Sequence, residues 1–261
     1  MITAVSVKAA ERLARAAELR RPCAPVRELL GGRDIAAAYA VQRGLARQRQ
    51  TSVVGRKIGL TSKTVQQQLR VDQPNFGTLF EDMDVSALLV VPSGRLLQPK
   101  AEAEIAFVLG SDLDGDEISI ADVRASIDYA MAAIELVDSR IAGWDIKISD
   151  TVADNASSGY FALSERQLTL KDFEPRDIEM TMLVDGFQTS AGAGTECMGD
   201  PLAAVLWLAR TTRDLGDPLR AGEVVLSGAL GPMVAVHPGN TITARFTGLG
   251  PVSVTLSKEQ S

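Results

Sequence analysis

Two glutamates separated by one alanine, in Pro99-Lys100-Ala101-Glu102-Ala103-Glu104-Ile105-Ala106-Phe107, are the first residues of this chain whose spacing points to chemistry. In a strand, residues i and i+2 lie on one face, so Glu102 and Glu104 would stand side by side. Adjacent carboxylates repel, and one stays protonated unless positive charge sits between them. The residues that follow, Ile105 to Leu109, are almost wholly apolar, so this strand runs into a core. A third carboxylate, Glu135, is the one charge in Ala132-Ala133-Ile134-Glu135-Leu136-Val137. Asp138, three residues on, would point to the opposite face. Three carboxylates converging from two strands would form a site for a hard divalent cation. Magnesium prefers about six oxygens, so three protein ligands would leave room for a bidentate substrate and a water. From spacing alone, a paired surface strand explains Glu102 and Glu104 as well. Glu135 fits that account less easily, because an unpaired buried charge is expensive.

Other metal chemistries find little support. His237 is the only histidine, which argues against a His-rich zinc site. It sits in Val236-His237-Pro238-Gly239-Asn240, which reads as a surface turn. Cys23 and Cys197 are far apart, match no CxxC or zinc spacing, and read as free thiols in a reducing compartment. No GxGxxG or Walker-type loop occurs, so a nucleotide cofactor is not expected.

These carboxylates need elements to hold them. Residues 4–20 and 33–48 carry apolar residues at helical spacing, with Asp34 as a candidate N-cap for the second helix. From Thr51 the texture changes. TSVVGRKIGL reads as a strand ending at Gly59, TSKTVQQQLR as a short helix capped by Thr61 or Ser62, and DQPNFGTLF as a turn and an extended piece. Further strand candidates are LLQPKAEAEIAFVL, AAIELV, IEMTMLVDG, EVVLSGAL and NTITARFTGLGPVSVTLS. Helices are expected at about 120–130 and 201–215. Strands and helices without a regular βαβ rhythm point to an α+β fold. The expected division is a helical N-terminal region over 1–50 and a catalytic β-rich unit over 51–261, forming one compact body.

The 261 residues are 46% hydrophobic and 23% charged, as in an ordinary globular protein with a substantial core. Net charge is −6 with no dense basic run, which excludes a nucleic-acid groove. Charged residues interrupt the N-terminal stretch, and nothing approaches roughly 18 uninterrupted apolar residues. The expectation is therefore a cytoplasmic protein with no membrane partner. An acidic protein that binds an anionic substrate needs a local cation, either a metal or a specific Lys or Arg.

Five longer runs carry a resemblance. They are VVGRKIGLTSKTVQQQLRVDQPNFGTLFEDM (53–83), LLQPKAEAEIAFVL (96–109), AIELVDSRIAGWDIKISDTVADNASSG (133–159), GTECMGDPLAAVLWLAR (194–210) and GDPLRAGEVVLSGALGPMVAV (216–236). Together they resemble the 2-keto-4-pentenoate hydratases (2-hydroxypenta-2,4-dienoate hydratases) of aromatic meta-cleavage pathways, within the fumarylacetoacetate hydrolase superfamily. The resemblance implies that Glu102, Glu104 and Glu135 bind magnesium or manganese. It also implies a mixed, strand-rich roll preceded by helices, and a homo-oligomer, pentameric or decameric. The implied substrate is a short dienoate derived from aromatic or steroid compounds, of undefined tail length. Its carboxylate and C2 oxygen would chelate the cation, and water would add at C4.

The resemblance places Lys57 in the active site, where an ammonium would offset the glutamates and the substrate carboxylate. Asn75 and Asp154 join it as catalytic candidates. The related enzymes usually read QPDFG where this chain has Gln73-Pro74-Asn75-Phe76-Gly77, and an amide does not titrate. Gln98, Lys147, Ser158 and Ser227 are substrate-binding candidates, although turn chemistry would explain each equally well. The nearest rival activity is that of a sibling, 2-oxo-3-hexenedioate (4-oxalocrotonate) decarboxylase. A non-catalytic partner of such a decarboxylase is a further alternative. A C–C hydrolase using a His–Glu pair in its N-terminal half is disfavoured, because no histidine precedes position 237.

Overall fold

In the computed structural model, the described residues are 4–32, 34–63, 66–67, 71 and 73–258. The chain opens with two amphipathic helices. Helix α1 (Ala4–Glu18) buries Ala9, Leu13 and Ala16. Helix α2 (Ile35–Ala46) starts at Asp34, whose carboxylate accepts the Ala37 N–H at 2.9 Å as an N-cap. Tyr39 of α2 stacks on Phe76 with ring centroids 4.7 Å apart. The buried Gln42 amide donates to Phe76 O and Val152 O, tying α2 to two parts of the body behind it.

The main sheet follows the order β2-β1-β8-β3-β4-β5, with β9 (Val234–Ala235) added to β3. Its strands are β1 (Val53–Gly59), β2 (Asn75–Phe80), β3 (Lys100–Leu109), β4 (Ile127–Val137), β5 (Ser158–Leu163) and β8 (Val224–Leu226). All pairings in this order are antiparallel except β1 with β8. Beyond β2 the chain turns back against β5, where Val85 N donates to Phe161 O at 2.9 Å. The sheet is thereby curled toward closure, giving a roll with an inner and an outer face. A second antiparallel sheet has the order β11-β10-β6-β7, built from β6 (Glu179–Val184), β7 (Phe187–Ala193), β10 (Thr241–Phe246) and β11 (Gly250–Thr255). It packs on the outer face of β4 and β5. The α+β class and the strand-rich roll behind N-terminal helices agree with expectation.

Alternation along the long strands separates two environments. Ala101, Ala103, Ile105 and Phe107 of β3, with Ile134 and Leu136 of β4, enter the main core. On the inner face, a smaller apolar cluster of Leu79, Ala106, Ala133, Phe161 and Leu226 fills part of the roll. The same face continues into Lys57, Glu102, Glu104 and Glu135, so the charged residues lie at one end of an otherwise apolar interior.

Several elements differ from expectation. The helix foreseen at about 120–130 is only α3 (Ile120–Ser126), started by a Ser119–Asp122 capping box. From Ile127 the chain becomes β4, because pairing with the whole of β3 offers buried ladder bonds that outweigh local helix preference. The segment expected as a tight loop around ISDTVADNASSG contains helix α4 (Ile148–Ala153). The Asp150 carboxylate of that helix accepts the N–H groups of Val26 and Arg27 and the Arg27 guanidinium, fastening the N-terminal segment to it. Strands β5, β7 and β9 were not foreseen. Helix α5 (Pro201–Asp214) forms where expected, with Asp200 as N-cap and Pro201 in the first turn. Half of the short helix expected over TSKTVQQQLR, residues 64–65 and 68–70, lies outside the described residues.

Candidate metal centre

The register of β3 on β4 sets Glu102 directly opposite Glu135, with Glu104 two residues further along β3. One carboxylate oxygen from each lies within 4.8 Å of the others. The side chains are 6%, 0% and 1% exposed, which rules out a solvated surface strand. Burial raises all three carboxyls. Glu135 is pushed up to about 7, while Glu104 is raised well above its ordinary value by burial and then by Glu135 and Glu102. Glu104 Oε1 and Glu135 Oε1 have no hydrogen-bond partner. Buried acceptors left in this state are costly, and three hard oxygen donors around one point suit a hard divalent cation. The residues therefore fit a divalent cation held by Glu102, Glu104 and Glu135.

The chain around this centre fixes each carboxylate. Gly228 N donates to Glu104 Oε2 at 2.8 Å. The buried Ser227 hydroxyl accepts Ile105 N and donates to Gly228 O, so it secures the turn carrying that N–H. Gly228 has φ +95°, and a Cβ there would lie 2.2 Å from Thr61 Oγ1, which explains a glycine at this turn. Lys57, 2% exposed, forms an ion pair with Glu135 at 3.0 Å and donates to Ala156 O at 3.1 Å. Desolvation alone would lower its pKa, but Glu135, Glu102 and Glu104 outweigh that and raise it, so the ammonium form is held.

A cleft opens on Lys57 and Glu102. Asn75, Thr151 and Ser157 line one side, and Val137, Trp144 and Met233 supply apolar wall. The acceptor for Lys57 comes from an unusual turn, Asn155-Ala156-Ser157, whose three residues all have positive φ (53°, 52° and 54°). Left-handed backbone costs roughly 1–2 kcal/mol per non-glycine residue. The Asn155 side chain holds the turn by accepting Thr78 N at 2.8 Å and donating to Thr78 O at 2.9 Å.

Lys57 and Asn75 thus share one cleft with Glu102 of the triad, and Ser227 secures the turn behind Glu104. Asp154, buried and raised to about 6 by burial, is ion-paired with Arg140 beneath the left-handed turn. Ser158 Oγ donates to Asn155 O. The Gln98 amide donates to Ser139 O and Ile141 O and accepts Gly143 N, holding the loop that carries Trp144. Lys147 is exposed at the start of α4 and is not among the cleft walls. His237 is exposed in a turn closed by Asn240. Thr151, Asn155, Ser157 and Trp144 were not foreseen. The only sequence signal was the run of small polar residues in 148–159.

The roll and its acidic centre define the class. Residues 54–257 match the fumarylacetoacetate (FAA) hydrolase C-terminal family, to which the chain belongs. Within that superfamily it is a member of the 2-keto-4-pentenoate hydratase family. It is 50% identical over 256 residues to the TodF product hydratase of Pseudomonas putida F1, covering 96% of this chain and 95% of that one. It is 47% identical over 257 residues to the 2-keto-4-pentenoate hydratase of Paraburkholderia xenovorans LB400, covering 97% and 95%. Among solved structures, the 4-oxalocrotonate decarboxylase of Pseudomonas putida G7, complexed with magnesium and adipate, superposes with a TM-score of 0.90. It is 33% identical and covers 96% of this chain and 97% of that one. No helix among the described residues is long and apolar enough to cross a membrane.

Proposed function

We propose that this chain is a magnesium- or manganese-dependent hydratase that converts a short 2-hydroxy-2,4-dienoate into a 4-hydroxy-2-oxo acid. The observation that carries the reading is the convergence of Glu102, Glu104, Glu135 and Lys57 in one buried cluster at the edge of a cleft. Its context is a chain 47–50% identical to hydratases over nearly its whole length. Bound at the three glutamates, the cation supplies Lewis acidity that stabilises negative charge developing on the C2 oxygen.

The chain's own groups do the rest. Lys57 offsets the carboxylates of the centre and of the substrate, and it can donate to the C2 oxygen or carry a proton. Such a group contributes on the order of 10²–10⁴-fold. Ketonisation moves the enol proton's equivalent to C5 and gives a 2-oxo-3-enoate. Water then adds its oxygen to C4 and a proton to C3. Val137, Trp144 and Met233 suit the hydrocarbon tail, and Asn75 offers an amide to the attacking water. The roles proposed for Asp154, Ser158 and Gln98 are to hold the loops that frame this cleft.

A decarboxylase reading has one observation in its favour, the close superposition on the 4-oxalocrotonate decarboxylase. The higher identity to hydratases favours hydration. The test is to give the purified chain 2-hydroxypenta-2,4-dienoate, its hexadienoate homologue and 2-oxo-3-hexenedioate, with and without a chelator. Chelator-sensitive loss of the dienoates without carbon dioxide is expected. Carbon dioxide release from the hexenedioate would establish the decarboxylase, and no turnover of any substrate would favour a non-catalytic partner role.

A further inference from the structure

Asn75 Oδ1 is a buried acceptor with no partner. It occupies the space above Gly59, where a Cβ would lie 2.4 Å from it and 3.6 Å from Lys57 Nζ. The other end of the amide is tethered: Asn75 Nδ2 donates to Thr151 Oγ1 at 3.3 Å, and Thr151 Oγ1 lies 3.3 Å from Ser157 Oγ. All three side chains are at most 3% exposed, so bulk solvent does not offer substitute partners. A threonine oxygen accepting from an amide is free to give its own proton to the serine. The reversed amide would aim its NH₂ toward the Lys57 ammonium, setting donor against donor. The ammonium therefore favours the orientation in which oxygen faces the cleft, and the hydroxyl pair holds the amide there by accepting from its NH₂.

The left-handed Asn155–Ser157 turn carries Ser157 to Thr151, and it places Ala156 O on Lys57. Strain of this kind persists where surrounding structure enforces it, and it often marks a functional constraint.

We infer that Thr151 is a positioning residue. Backed by Ser157, its hydroxyl holds Asn75 so that a non-titrating oxygen is presented beside Lys57 to bind the attacking water. The catalytic part of this inference rests on the hydratase reading. The geometric part does not.

Thr151→Val keeps the shape and removes the hydroxyl, while Thr151→Ser keeps the hydroxyl. With the magnesium-loaded full chain, Thr151→Val should lower kcat on the order of ten- to hundredfold, because small misplacements at a reacting centre carry penalties of this size. KM and calorimetric magnesium affinity should stay unchanged, and Thr151→Ser should restore kcat to within about threefold of wild type, since one hydroxyl replaces another. The double variant Asn75→Ala/Thr151→Val should be no slower than Asn75→Ala, because both changes remove one arrangement. Wild-type kcat in Thr151→Val, no rescue by serine, or additive losses would overturn the inference. Crystal structures of the two variants give a readout independent of turnover. The Asn75 side chain should shift from its place in Thr151→Val and keep it in Thr151→Ser. An amide that stays put in Thr151→Val overturns the inference whatever reaction the wild type runs.

Discussion

Glu104 is the most deeply buried of the three carboxylates, and one of its oxygens has no partner within the protein. Replacing it with glutamine keeps the shape and removes a charge that a hard cation requires. Glu104→Gln should therefore abolish both magnesium binding and turnover while leaving the fold intact; calorimetry showing wild-type metal affinity would refute the ligand assignment. Lys57 is not a ligand, so Lys57→Ala should retain the metal and lose turnover by at least about a hundredfold. Asn75→Asp would place a carboxylate where the ammonium and the glutamates already set the charge balance. We expect no gain in kcat between pH 5 and 9, because repulsion from the other carboxylates opposes the new charge. A tenfold gain with a new acidic limb would show that a titrating group is wanted there. The convergence of the three glutamates was legible only in part: strand periodicity and an isolated charge in an apolar run are local signals, but a surface strand explained Glu102 and Glu104 as well until the family resemblance singled them out. Thr151 and Ser157 were not legible, since neither a six-residue helix nor a left-handed turn without glycine announces its geometry.

At the scale of elements, the centre depends on β3 and β4 for its ligands and on the turn after α4 for the surroundings of Lys57. The ladder was readable in part. The sequence predicts both strands but reads the start of β4 as helix, because only pairing with β3 reveals that Ile127 is already extended. The turn depends on Asn155, which satisfies both Thr78 N and Thr78 O. Asn155→Ala leaves both partly buried groups unsatisfied and forces alanine into a conformation that asparagine tolerates better. We expect a loss of about 2–4 kcal/mol, from two lost hydrogen bonds plus backbone strain. Asn155→Gly removes the clasp but relieves the backbone, so it should be milder than Asn155→Ala. Urea unfolding of the three forms checks the order, and equal stability of wild type and Asn155→Ala would show that the clasp contributes nothing.

For the molecule as a whole, the buried centre couples stability to pH and metal. In the metal-free protein the three carboxyls sit above their ordinary value, with Glu135 near 7. The folded chain then holds protons that the unfolded chain releases above about 4.5, the range of a free glutamate. Stability rises with pH only where the unfolded state binds more protons, and here the folded state binds more. The metal-free protein should therefore lose stability as pH rises from about 5 through 7. A divalent cation reverses this, because it binds the ionised carboxylates and displaces those protons. Its affinity should rise across the same window. At a hundredfold excess over Kd, binding adds about 2.7 kcal/mol to the folded state. Melting curves at matched ionic strength from pH 5.5 to 8 should show Tm falling in chelator and holding or rising in magnesium, with the gap widening as pH increases. A gap that stays constant across that range would mean that the cation binds without displacing protons, and hence that Glu102, Glu104 and Glu135 are not its ligands.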